Sequence, residues 1–136
     1  PTPAPPTATP TPQYSFACIL FTHPTGSSQF THITGSAYKW INRAAGNAQP
    51  QAGYVLVVIG PAGEHKSEVS GPGATDSRGR GLGDNHLMNM KVEFAPYSPG
   101  DYRVYLTQAS VQVSNEVKVI MANSPPTYAH VECVSD

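Results

Sequence analysis

Tyr54-Val55-Leu56-Val57-Val58-Ile59 is the clearest run of core-forming residues in the chain, and Gly60-Pro61-Ala62-Gly63 closes it. Six apolar residues, most of them β-branched, are too few for a core helix. Bounded by turn chemistry, they read as a buried strand. Working outward, residues 87–94 alternate, with Met88, Met90, Val92 and Phe94 on one face and Asn89, Lys91 and Glu93 on the other. That is the period of a half-buried strand. Tyr102, Val104 and Leu106 repeat the pattern, as do Val117, Val119 and Met121. Tyr14 to Phe21 is apolar on both faces and reads as another buried strand. Phe30 to Trp40 has strand character around Gly35, residues 66–70 read as a short edge strand, and Tyr128 to Val134 closes the chain. Ala44 to Gly53 and Ser98 to Asp101 read as turns, and Gly71 to Asn85 as a Gly-rich loop. A 3.6-residue period is not evident in any stretch. The expectation is an all-β, seven- to eight-stranded antiparallel β-sandwich over residues 14–136. Its core is expected to hold Cys18, Leu20, Val55, Val57, Met90, Val92, Phe94, Val104, Leu106, Val117 and Val119.

Residues 1–13 have a different texture. The first twelve are Pro, Thr and Ala only, with prolines at Pro1, Pro3, Pro5, Pro6, Pro10 and Pro12. Such a segment cannot build a core and favours an extended polyproline II conformation. It serves either as a spacer or as an assembly element that lies along a neighbouring molecule. Thr2, Thr7, Thr9 and Thr11 are candidate O-glycosylation sites. The chain starts at Pro1, without a signal peptide, so the expectation is a mature or excised product of export. Export in turn favours a disulfide between the two cysteines, Cys18 and Cys133, over a pair of buried free thiols. In the chain-entropy model a loop of that size stabilises the fold by about 4–5 kcal/mol.

Charged residues are 12% of the chain and the formal net charge is -1. An average domain has roughly twice that charged fraction. This surface gives no electrostatic reason to bind nucleic acid or anionic lipid, and it tolerates close copies of itself. No apolar stretch approaches the ~18 residues of a membrane span, so membrane insertion is not expected.

Chemistry-bearing patterns are sparse. His23, His32, His65, His86 and His130 are scattered with no HxH or HExxH, so no metal site is expected. Asp76, Asp84 and Asn85 flank the loop Arg78-Gly79-Arg80-Gly81-Leu82-Gly83, which lacks the dense carboxylates of a calcium loop and the lysine of a phosphate loop. Glu64, Glu68, Glu93, Glu116 and Glu132 fall on different elements, and no G-x-S-x-G elbow is present. No cofactor and no catalytic residue are expected. An N-glycosylation sequon is also missing, since Asn123-Ser124-Pro125 lacks the third residue. Trp40 and the seven tyrosines fit either a sugar-stacking platform or core packing.

Three stretches in order carry a resemblance: residues 46–53 (GNAQPQAG) before the 54–59 strand, Thr75-Asp76-Ser77-Arg78-Gly79, and Ser98-Pro99-Gly100-Asp101-Tyr102. From about Ile33 to Met121 the chain resembles the carboxypeptidase-regulatory-like family of bacterial and extracellular domains. The resemblance implies a transthyretin-like or Ig-like sandwich with Tyr102 packed after a corner. Such domains act as spacers, stalks or binding accessories, and the resemblance implies no catalysis. The functional expectation is a secreted or cell-surface structural subunit whose main partner is itself, forming a filament or tube. The alternative is a carbohydrate-binding or spacer module on a Pro/Thr tether, with glycans as its partners.

Overall fold

A computed structural model describes residues 13–22, 29–73, 75–76 and 87–136 of the chain. Every regular element among them is a strand. In chain order these are β1 (Phe16–Thr22), β2 (Thr31–Asn42), β3 (Asn47–Pro50), β4 (Val55–Gly60), β5 (Gly63–Lys66), β6 (Thr75–Asp76), β7 (Leu87–Met88), β8 (Met90–Phe94), β9 (Gly100–Gln108), β10 (Val111–Gln112), β11 (Val117–Met121) and β12 (Ala129–Ser135). The expected seven or eight become twelve among the described residues: β6, β7 and β10 are only two residues long, β6 lies in the stretch read as a Gly-rich loop, and β3 lies in the stretch read as a turn. The 66–70 strand is also displaced, since β5 ends at Lys66.

Two five-stranded sheets form, and β6 and β7 pair separately. The first runs β1-β12-β2, and the far side of β2 is shared. Its first half pairs with β8, as Ile33 opposite Val92, and its second half with β3, as Lys39 opposite Gln49. The second sheet runs β5-β4-β9, and β9 again shares its far side, between β11 and β10. One pairing departs from the antiparallel expectation: β12 lies parallel to β2, with Ala129 opposite Ile33 and Ser135 opposite Lys39. Parallel neighbours need a long crossover. Here the crossover passes through the whole second sheet.

A single core joins the two sheets, an arrangement compatible with a β-sandwich. Ile33, Ala37, Val131, Met90 and Val92 meet Leu56, Val58, Tyr102, Val104, Leu106 and Val119 there. The run from Tyr54 to Ile59 is therefore out of phase with its expectation. Leu56 and Val58 point inward, while Val55 and Val57 lie outside the core cluster. Val57 is still only 2% exposed, beside its partners Tyr105 and Lys66. A strand apolar at every position does not reveal which parity faces in. The same ambiguity misplaced β1, which is an edge strand. Phe16 and Cys18 face the core, but Ile19 is 58% and Phe21 46% exposed. β3 had been hidden in turn-like composition. Its residues Ala48 and Pro50 are half-buried by pairing rather than by apolar bulk.

β1 begins and β12 ends at one pole, since Phe16 lies opposite Ser135. The opposite pole gathers the 60–63 turn and residues 95–100 and 122–128. There Tyr102, fully buried, donates its hydroxyl to the Ser98 carbonyl at 2.9 Å. Tyr97 Oη donates to the Ala122 carbonyl at 2.6 Å. A Cβ on Gly60 would lie 2.2 Å from the Tyr102 ring, and one on Gly100 2.6 Å from Pro61, so both glycines are set by close approach. Gly100 also sits at φ 132°, which other residues resist.

Candidate functional site

The two cysteines sit at the same level on adjacent strands, Cys18 on β1 and Cys133 on β12, and their Sγ atoms are 1.97 Å apart in a disulfide. The sequence separation is 115 residues, and among the described residues no free cysteine remains. The bond is the centre of a row that crosses the whole first sheet. On β2, Ala37 lies opposite Cys133. At each end of the row a side-chain amide takes the place of a missing strand. Asn115 accepts from the Cys18 N–H at 2.7 Å and donates to the Cys18 carbonyl at 2.9 Å. Asn89 does the same for Ala37, at 2.9 and 3.2 Å, and also donates to the Gln51 carbonyl at 3.2 Å. Ala37 falls in the gap where β8 has ended and β3 has not begun. Without Asn89 the buried Ala37 N–H would lose its partner, while the Ala37 carbonyl keeps the Gln51 N–H at 2.7 Å.

The β1 side of the molecule is latched further. Phe16 N–H donates to the Val113 carbonyl at 3.0 Å, and Phe16 bridges Ser114. Ser114 Oγ accepts from Leu106 N–H at 2.8 Å. The first sheet is thus tied to the second along this edge. On the opposite side a cleft of about 770 Å³ opens between the 65–73 segment and residues 88–93, lined by His65, Lys66, Glu68, Val69, Met90 and Lys91 among others. Its charges are mixed. Glu93 stands at its rim, 2.5 Å from His32 Nε2 and 3.4 Å from Lys91 Nζ. Partial desolvation raises the Glu93 carboxyl pKa, but the hydrogen bonds and charges of His32 and Lys91 outweigh it and hold the group below its ordinary value.

The three described histidines are engaged separately. His32 stacks on Tyr128 at 4.6 Å, His65 stacks on Phe94 at 3.7 Å, and His130 Nδ1 lies 2.8 Å from Thr34 Oγ1. His23 and His86 lie outside the described residues. No three His, Cys, Asp or Glu side chains gather into a metal-binding group among the described residues. Thr34 and His130 face away from the core and are nonetheless buried. On the same face, burial raises the Tyr38 hydroxyl pKa and the Glu132 charge adds to it. Trp40 carries the Arg43 guanidinium over its ring, 5.4 Å from the centroid, and Arg43 pairs with Asp136. The prolines Pro1, Pro3, Pro5, Pro6, Pro10 and Pro12 and the threonines Thr2, Thr7, Thr9 and Thr11 lie outside the described residues, as do Arg78 to Asn85.

No protein-family model, no curated protein and no solved structure matches the chain. Nothing in the cysteine spacing or in the asparagines' neighbours announced the row. A single Asn–backbone pair across 97 or 52 residues leaves no local sequence signal.

Proposed function

We propose that the chain is an extracellular, non-catalytic structural subunit that assembles with copies of itself into a filament or tube, through its Pro/Thr tail and the side-chain surfaces of a transthyretin-like or Ig-like sandwich. The observation that carries the reading is the state of the sheet edges. Open edges are the usual route to strand-by-strand association. Here β1 is capped by Asn115 and Val113, β3 is four residues long and ends in Pro50, and β5 carries Glu64 and Lys66. β8 bears Lys91 and Glu93, β11 bears Lys118, and β10 is two residues long. Ladder extension is disfavoured at each of them. Contact between copies then falls to side chains such as Ile19, Ile41 and Val111, which are apolar and exposed, and to the tail. A proline-rich segment cannot extend a ladder, but in the polyproline II form it is preorganised to lie along a neighbour.

The disulfide is weakly consistent with an oxidising, extracellular setting. The tethered-module reading draws support from the single pole that holds the start of β1 and the end of β12. A domain attached there displays its opposite pole outward. The deciding experiment compares the full chain with one starting at Gln13, by sedimentation and electron microscopy at high concentration. Polymers from the full chain and monomers from the shortened one are expected. Monomers from both would overturn assembly and leave the tether.

A further inference from the structure

We infer that this domain is a force bypass: load passing between its two ends travels through the Cys18–Cys133 bond and leaves the rest of the fold unloaded. The pairing of β1 with β12 is antiparallel, and the two free ends share one pole. Pulling those ends apart peels the strands rung by rung, the geometry in which hydrogen bonds break singly and resist least. The peel meets Phe16 opposite Ser135, then Ala17 opposite Val134, releasing on the way the Phe16 bond to Val113 and the pairing of Val134 and Ser135 with Tyr38 and Lys39 of β2, and then meets Cys18 opposite Cys133. At that third rung the connection is covalent. Every rung beyond it, from Ile19 opposite Glu132 onward, lies inside the closed loop and carries no tension. So do β2 through β11. The asparagines at either end of the row keep Cys18 and Ala37 from shifting sideways when the bond is loaded. The inference holds for a filament subunit and for a tethered module alike, so it does not rest on the reading above.

The test is single-molecule pulling with handles fused to the two ends of the chain. The wild-type chain is expected to show no unfolding step at forces that open ordinary sandwiches. The double variant Cys18→Ala/Cys133→Ala is expected to unzip at low force. It should release hidden length on the order of 400 Å, from the 115-residue separation at ~3.3–3.6 Å per residue. If that variant does not fold, wild-type chain is pulled instead from a handle on exposed Ala62 and one on the C-terminus. Load then crosses the sheets, and a step on the order of 150 Å is expected from the stretch between Cys18 and Ala62. A long step from the wild-type ends with the bond intact would overturn the bypass. So would a silent Ala62 attachment at the same force, because resistance would then belong to the sheets and not to the bond.

Discussion

The two long sides of this molecule are closed by different means. Along β1 a disulfide, an asparagine amide and a backbone bond to Val113 join first strand, last strand and second sheet. Along β5 and β8 the sheets part around a cleft, and β2 is held there by Asn89, by the Gln51 N–H on the Ala37 carbonyl and by the shared pairing of β3 and β8. The comparison teaches where redundancy lies. On the latched side any one contact has a covalent backup. On the open side the Ala37 N–H is met by the Asn89 side chain alone.

The largest effect is expected from breaking the latch. Cys18→Ala/Cys133→Ala should cost about 4–5 kcal/mol in urea denaturation, the chain-entropy value for a loop of this size. Much less would mean that the unfolded chain is already restrained near β1. Next, Asn89→Ala should cost about 2–3 kcal/mol, since it strands the fully buried Ala37 N–H and removes one of two donors from each of the Ala37 and Gln51 carbonyls. Asn115→Ala should cost only about 1 kcal/mol, because Asn115 is exposed and its removal opens the Cys18 groups on this edge strand to water. If the order of these two reverses, the latched side is not the redundant one.

A gain is expected at the hairpin between β9 and β10, which leads into the latched edge. Ala109 and Ser110 hold φ of 50° and 67°, the left-handed values of a two-residue turn. Replacing them with Asn-Gly should stabilise the protein by about 0.5–1 kcal/mol, read from the same denaturation curves. The smallest effect concerns the rim of the cleft. The Glu93 carboxyl pKa is held below its ordinary value, so the ionised group contributes stability that is fully present above the unfolded-chain pKa. That contribution is lost as pH falls through the lower folded value. Glu93→Gln should therefore flatten the acid limb of a stability–pH profile and leave neutral pH nearly unchanged. An identical acid limb in the variant would assign it to other carboxylates.

What the sequence made legible is what local periodicity encodes. Met90 and Val92, then Tyr102, Val104 and Leu106, then Val117 and Val119 alternate against polar neighbours, and all are buried in the shared core. Gly53 and Gly100, read as turn residues, hold positive φ. Where every position is apolar, as at Val55 to Ile59 and Phe16 to Phe21, both parities look alike, and the inward face or the edge position was lost. The parallel neighbour of β2 and the asparagine caps stayed hidden for another reason. Each joins residues about 50 to 100 positions apart. No spacing rule within one strand reports such a meeting. Within the Gly-rich stretch Thr75 and Asp76 form β6, while residues 1–12 and 77–86 contribute composition and lie outside the described residues.

The shared pole of β1 and β12 makes the covalent graph of this domain a ring with two short stubs. Phe16 and Ser135 are already neighbours, so a linker of a few residues from Asp136 to Gln13 would close the backbone itself without moving a strand. Once closed, the chain can be cut elsewhere. The exposed turn at Pro61 and Ala62 joins β4 to β5, and a new start there would preserve the register of both sheets. Order along the chain and arrangement in space are thus separable in this protein, and a circular permutant opened at Ala62 should fold to the same two sheets.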